Sequence, residues 1–198
     1  GPALAKWGAM ARENANVTLS VLCEDPRSVE RIDPALGIFV DLDPGMHRTG
    51  IPLDRHDTIR AIARRAGKRL RGVHSYDGHV RGPDAAARRE MAHRGYGALV
   101  ETLAELSLDD PQHEVVTSGT PEFLYALDFE TFRAFVHRVS PGTVVFHDLR
   151  SEQELEDLDL LPAAVVFSRV VSRPRPDRVT CDAGSKSVAA EAGDPCAV

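Results

Sequence analysis

"GIFVDLDPGMHRTG", residues 37–50, decides the fold. Ile38, Phe39, Val40 and Leu42 make a near-continuous apolar run of strand length, bounded by Gly37 and Pro44. A strand buried on both faces reads this way. The run then turns abruptly polar, with Asp43, Gly45, His47 and Arg48. The same switch recurs in "RGVHSYDGH" at 71–79 and "EVVTSGT" at 114–120. In parallel α/β proteins, whether closed barrels or open sheets, ligands gather at the carboxyl ends of the strands. Loops are polar anyway, so one switch carries little weight. Several switches, each bearing Arg, His, Tyr or a Gly-Thr pair, point to one shared mouth.

Outward from this stretch the chain alternates. Residues 3–14 read as a helix, and "NVTLSVL" at 16–22 as a strand rich in Val and Thr. Residues 53–66 carry apolar side chains at 53, 59, 62, 63 and 66, a helical spacing that Gly67 is suited to stop. "RGVHS" is a strand, and 83–106 a long helix with Pro83 at its start. "EVVTS" is a strand, 121–128 a helix, 132–139 a strand, and "TVVFHD" at 143–148 a further strand. The pattern predicts an α/β fold with a parallel sheet over residues 1–150. "SEQELEDLDL" at 151–160 is an acidic connection, and the remainder to 198 reads as the beginning of a β-rich domain with a Pro-rich turn.

The chain has 198 residues, 42% of them hydrophobic, which suits one or two globular domains. A net charge of −6 predicts no nucleic-acid partner. No apolar stretch approaches the roughly 18 residues of a membrane span, and "GPALAKWGAMARENAN" lacks the basic-then-apolar order of a signal peptide. Three scattered cysteines, Cys23, Cys181 and Cys196, do not make a disulfide framework, so a reducing, cytoplasmic compartment is expected.

The Gly-Thr pairs have a specific use. Glycine lets backbone approach an anion closely, and successive N–H groups with a hydroxyl beside them form an anion-binding nest. Ser118, Gly119 and Thr120 form one such stretch, at the start of a predicted helix whose positive end favours phosphate. Gly142 and Thr143 of "SPGT" form another. The plainer readings are a helix cap and a turn. Arg48 is suited to a phenolate or carboxylate oxygen, or else pairs with Asp41 or Asp43. His74 is a site residue or a satisfied core histidine, and Tyr76 a site residue or a packing ring. His74, Asp77, His79, His147 and Asp148 allow a metal reading, although their spacing matches no compact zinc motif.

"VDLDPGMHRTG", "GVHSYDGH", "TSGTPEF", "SPGTVVFHD" and "SRVVSRPRPDRVTCDAGSKSVAAEAGDP", in this order and at these intervals, resemble the D-threonine aldolase and D-serine dehydratase group. The resemblance covers nearly the whole chain from residue 3. It implies a pyridoxal 5'-phosphate enzyme of fold type III, with an alanine-racemase-type barrel followed by a β-domain. By motif match, Arg48 is implied near the cofactor's phenolic oxygen, His74 beneath its ring and Tyr76 beside it. Ser118, Gly119 and Thr120 are implied as the first phosphate loop, and Gly142 and Thr143 as the second. Ser140 stands where racemases place an arginine against the pyridine nitrogen, and Val144 where relatives often have an aromatic residue.

Pyridoxal-phosphate chemistry requires a lysine for the Schiff base. Lys6, Lys68 and Lys186 are the only lysines, and none sits at the mouth. In the family that lysine lies on the first barrel strand, and the metal-binding histidine and its partner lie near the end of the chain. The expectation is an internal portion of a longer enzyme, with about five of eight barrel strands, and inactive alone. The resemblance implies a complete enzyme that uses a divalent metal (Mn, Mg or Zn) and a D-amino acid substrate, and forms homodimers. It would cleave Cα–Cβ of a D-β-hydroxy amino acid to glycine and an aldehyde, or eliminate water to a keto acid and ammonia. Two other readings stay open: a metal-dependent barrel hydrolase using His74, His79, His147 and Asp148, and a non-catalytic pyridoxal-phosphate-binding protein.

Overall fold

The computed structural model describes residues 2–146, 151–152, 155, 158, 160–184 and 188. Helix α1 (Pro2–Glu13) leads into strand β1 (Ser20–Cys23). Then follow β2 (Gly37–Asp43), a two-residue β3 (Ile51–Pro52), α2 (His56–Ala66) and β4 (Leu70–Ser75). Helix α3 (Ala85–Glu105), β5 (Glu114–Thr117), the short α4 (Phe123–Leu127) and β6 (Val136–Val139) complete the main body. Strands β7 (Val170–Arg175) and β8 (Arg178–Cys181) form a separate antiparallel pair, exposed along its length.

The main sheet is parallel throughout, with strand order β1-β2-β4-β5-β6 and β3 beside the end of β2. Each new strand joins on the same side as the last. That is the winding of a βα barrel, since a doubly wound sheet reverses direction at a switch point. Among the described residues the barrel is not closed: β1 and β6 do not pair.

The quoted run behaves as its composition requires. In β2, Ile38, Val40 and Leu42 are 0 to 1% exposed and face the helices, while Asp41 and Asp43 are buried on the opposite face. Each such side chain contributes about 2 kcal/mol by leaving water. Ile59, Ile62, Ala63 and Ala66 of α2 and Leu99 and Leu103 of α3 cover that face. Gly67 ends α2 with φ 51°, its N–H closing on the Ala63 carbonyl. Asp84 caps α3 by accepting the Ala87 N–H. Gly72, at φ 149°, lets β5 approach β4: a Cβ there would lie 1.9 Å from the Glu114 carbonyl oxygen.

Helices α1, α2 and α3 shift by one to three residues at their ends, and four other elements depart further from the sequence reading. The expected strand at 16–22 begins only at Ser20, because Asn14–Val17 closes a turn first. The expected strand at 132–139 is a 3-10 turn over Glu130–Ala134 followed by β6, because Phe132 is buried among the rings of Tyr96, Phe129 and His137. The expected helix at 121–128 is five residues long. The expected strand at 143–148 is a 3-10 turn at Thr143–Val145, whose Val144 N–H goes to the Thr120 hydroxyl and not to a ladder. His147 and Asp148 lie outside the described residues, as does Lys186.

Candidate cofactor-phosphate site

The carboxyl ends of β2, β4, β5 and β6 open on one side of the sheet. After β2, the Asp43 carboxylate organises the following loop. Its Oδ1 accepts the N–H groups of Gly45 and His47 at 2.9 Å each, and its Oδ2 meets His47 Nδ1 at 2.9 Å. Burial raises the Asp43 pKa, but these hydrogen bonds outweigh it and hold the carboxyl below its ordinary range. His47 takes φ 56° in the same loop. Gly50, at φ 99°, donates its N–H to Glu24 Oε2 at 2.7 Å.

This loop delivers Arg48 to the face of Tyr76, 4.0 Å from the ring centroid. Arg48 therefore pairs with neither Asp41 nor Asp43. Asp41 instead holds His74: Oδ1 lies 2.7 Å from Nδ1, and the two residues are register partners on β2 and β4. The carboxylate fixes the Nδ1–H tautomer and leaves Nε2 as the free ring nitrogen. His74 is thus a satisfied histidine, paired with Asp41 and largely out of water.

Tyr76 in turn packs against the β5 loop. A Cβ on Gly119 would lie 2.9 Å from Tyr76 Cε2, so only glycine allows this approach. Ser118 precedes it at φ 64°, unusual for a residue with a side chain. Its hydroxyl does not face outward as the nest reading expected. It is fully buried and points inward, 3.0 Å from Asp77 Oδ2, 3.1 Å from Tyr96 Oη and 3.1 Å from Thr117 Oγ1.

The two Gly-Thr loops are tied together. Thr120 Oγ1 accepts the Val144 N–H at 3.2 Å. Ser140 gives both its N–H and its hydroxyl to the carbonyls of Thr117 and Ser118. Ser140 is therefore committed to backbone, and the hydroxyls of Ser118 and Thr120 are engaged within the protein. The N–H groups of Gly119, Thr120, Gly142 and Thr143, by contrast, donate no hydrogen bond among the described residues. These four amide donors, on two loops joined at Thr120 and Val144, are the backbone groups available to an anion such as a phosphate. The expected help from a helix dipole is absent, because α4 is short and starts only at Phe123.

The geometry thus brings Arg48, Tyr76, Gly119 and Thr120 into one contiguous chain of contacts, with Gly142 and Thr143 joined through Val144. His74 lies on β4 two residues before Tyr76, which follows the end of that strand. Sequence reasoning missed Asp41 as the partner of His74, and it missed Tyr96, whose place in the apolar stripe Ala92, Tyr96, Leu99 and Leu103 concealed its hydroxyl. In the sequence Asp77 reads only as a metal ligand. It is 5% exposed and bound to Tyr96 and Ser118. Among the described residues no group of three His, Cys, Asp or Glu side chains is placed to hold a metal ion. Lys6 and Lys68 are exposed on α1 and after α2.

Residues 163–198 match a family model described as "Putative serine dehydratase domain". A D-threonine aldolase of Arthrobacter sp. is 25% identical over 210 residues, covering 98% of this chain and 53% of that protein. A variant of D-threo-3-hydroxyaspartate dehydratase superposes with a TM-score of 0.66 at 20% identity, over 91% of this chain and 49% of that one. An alanine-racemase-like protein from Idiomarina loihiensis superposes with a TM-score of 0.68 at 17% identity, over 93% of this chain and 51% of that one. At these identities the two structures show the fold. The chain spans about half the length of these relatives. The family match and the D-threonine aldolase support the resemblance of this chain to the D-threonine aldolase and D-serine dehydratase group, and the two structures show an alanine-racemase-like fold.

Proposed function

We propose that this chain is the cofactor-cradling part of a pyridoxal-phosphate-dependent lyase acting on D-β-hydroxy amino acids, with D-threonine-aldolase-like Cα–Cβ cleavage. The observation that carries the reading is the pair of joined loops with four amides that donate no hydrogen bond among the described residues, on the side of the sheet that also holds Arg48, His74 and Tyr76. The residues fit the cofactor: backbone amide donors on two joined loops suit a phosphate dianion, and a Cβ on Gly142 would meet nothing within 4 Å.

In this reading the amides of Gly119, Thr120, Gly142 and Thr143 bind the phosphate. Arg48, held 4.0 Å over the Tyr76 ring, would meet the phenolic oxygen through its guanidinium fork, which a lysine would not supply. His74, oriented by Asp41, supports the ring from beneath. Bound pyridoxal phosphate supplies an electron sink for the substrate α-carbon. The described residues supply no ligand set for the divalent metal of the same reading.

A dehydratase is the second reading, favoured by the match of residues 163–198 to a serine dehydratase domain. The separate β7–β8 pair and that match support a β-rich domain beginning near residue 151. No helix among the described residues is long and apolar enough to cross a membrane. A cytoplasmic homodimer belongs to the same proposal.

The test is an assay of the full-length protein with pyridoxal phosphate and Mn, Mg or Zn. D-Threonine is expected to yield glycine and acetaldehyde, with the L-isomer inert. Keto acid and ammonia as the sole products would select the dehydratase. No turnover of any D-β-hydroxy amino acid, despite bound cofactor, would overturn the lyase reading in favour of a binding protein.

A further inference from the structure

We propose that Asp77 is a positioning residue for the phosphate cradle, a buried strut that sets the Ser118 turn and through it the amides of both loops. The inference rests on the pyridoxal-phosphate reading above and names a residue outside its contact set.

Asp77 follows β4 at the carboxyl end of the sheet, yet its carboxyl points inward. Oδ2 accepts from the Tyr96 hydroxyl at 2.5 Å and from the Ser118 hydroxyl at 3.0 Å. Burial and the nearby Asp77 push the Tyr96 phenol upward, so it stays protonated and serves as the donor. Oδ1 has no hydrogen-bond partner among the described residues. A buried carboxyl left half-satisfied costs stability, and a packing role would be better served by an apolar side chain.

What the carboxyl does gain is control of Ser118. That residue holds a left-handed backbone at φ 64°, with its side chain anchored by Asp77 and by Tyr96 of α3. Its carbonyl accepts both the N–H and the hydroxyl of Ser140, at 3.1 Å each, which fixes the start of the second loop. Its next two neighbours are the amide donors Gly119 and Thr120, and Thr120 ties back to Val144. One side chain that touches no ligand therefore fixes the orientation of four N–H groups. Amide cradles bind through direction, so a turn that relaxes by a few tenths of an ångström loses affinity for phosphate specifically.

The test compares dissociation constants for pyridoxal phosphate and for pyridoxal, which lacks the phosphate, in the full-length protein and its variants. Asp77→Ala is expected to weaken pyridoxal phosphate at least tenfold and pyridoxal less than twofold. Asp77→Asn keeps an acceptor for both hydroxyls and puts its amide nitrogen where Oδ1 lacks a partner, so it is expected to restore binding to within threefold of wild type. Ser118→Ala leaves Asp77 and Tyr96 in place and is expected to reproduce the phosphate-selective loss should Asp77→Ala fail to fold. Equal weakening of both ligands, or no change in a folded Asp77→Ala or Ser118→Ala protein, would overturn the strut. A wild-type protein that binds neither ligand would overturn the cofactor reading itself, and the strut with it.

Discussion

His74 and Asp41 stand opposite each other on neighbouring parallel strands, with Nδ1 and Oδ1 2.7 Å apart and both side chains largely out of water. The pair fixes a ring at the mouth of the sheet before any ligand arrives. Long-range nitrogen–proton NMR is expected to find the Nδ1–H tautomer in wild type and a tautomer mixture in Asp41→Ala. Loss of the pair is also expected to lower stability by about 1.5–3 kcal/mol in urea unfolding, the scale of one hydrogen bond to a charged group.

Gly72 tests the sheet. Its φ of 149° and the 1.9 Å separation from the Glu114 oxygen leave no position for a Cβ. Gly72→Ala is expected to cost roughly 3 kcal/mol or more, by strain and by parting β4 from β5. Gly97→Ala, in open space on α3, is expected to be neutral or to stabilise by about 0.5–1 kcal/mol. Urea midpoints of the two variants check both outcomes.

Stability against pH separates two acids, the buried Asp77 and the partly buried Glu114. Burial pushes the Asp77 pKa up, against the lowering hydrogen bonds from Tyr96 and Ser118. The folded state then holds this proton more tightly than the unfolded chain. The Asp77 contribution accordingly falls as pH rises from the ordinary aspartate range through the folded pKa. Asp77→Asn is expected to gain on wild type over that interval.

Glu114 behaves oppositely. Burial raises its pKa, but Arg71 at 2.7 Å and Arg138 on β6 outweigh burial and lower it. Its stabilisation is present above the ordinary glutamate range and is lost as pH falls through the folded pKa. Glu114→Gln is expected to be less stable at pH 7 and to show a flatter acid limb. Unfolding free energies measured from pH 3 to 8 test both signs.

The cation–π contact between Arg48 and Tyr76 is expected to contribute about 0.5–1 kcal/mol, as exposed pairs do. Tyr76→Phe should keep it and Tyr76→Leu should lose it. The comparison is made by thermal unfolding.

The strands that carry the site were legible because each is a short apolar run with a polar end. Residues 37–43 match β2 at both ends for that reason. Helix α2 was legible from its spacing and from Gly67. The stretch 143–148 misled because Val144, Val145 and Phe146 have strand composition. Pro141 and Gly142 turn the chain first, and the Thr120 hydroxyl then takes the Val144 amide. Within the site, residue types told which loops mattered but not which atoms faced outward. Ser118 and Thr120 look like phosphate hydroxyls in sequence, whereas their side chains are spent on Asp77 and Val144 and the bare amides remain. Tyr96 was hidden because a tyrosine in an apolar helical stripe reads as packing, and its partner lies 19 residues away.

The central claim is that the β5 and β6 loops cradle the phosphate of a ring lying by Arg48 and His74. Its most direct test is a crystal structure of the full-length protein with pyridoxal phosphate. The predicted result is phosphate oxygens within hydrogen-bond distance of the Gly119, Thr120, Gly142 and Thr143 amides, with the ring over His74 and its phenolic oxygen at Arg48. A phosphate bound elsewhere, or a cofactor attached only to exposed Lys6 or Lys68, would contradict it.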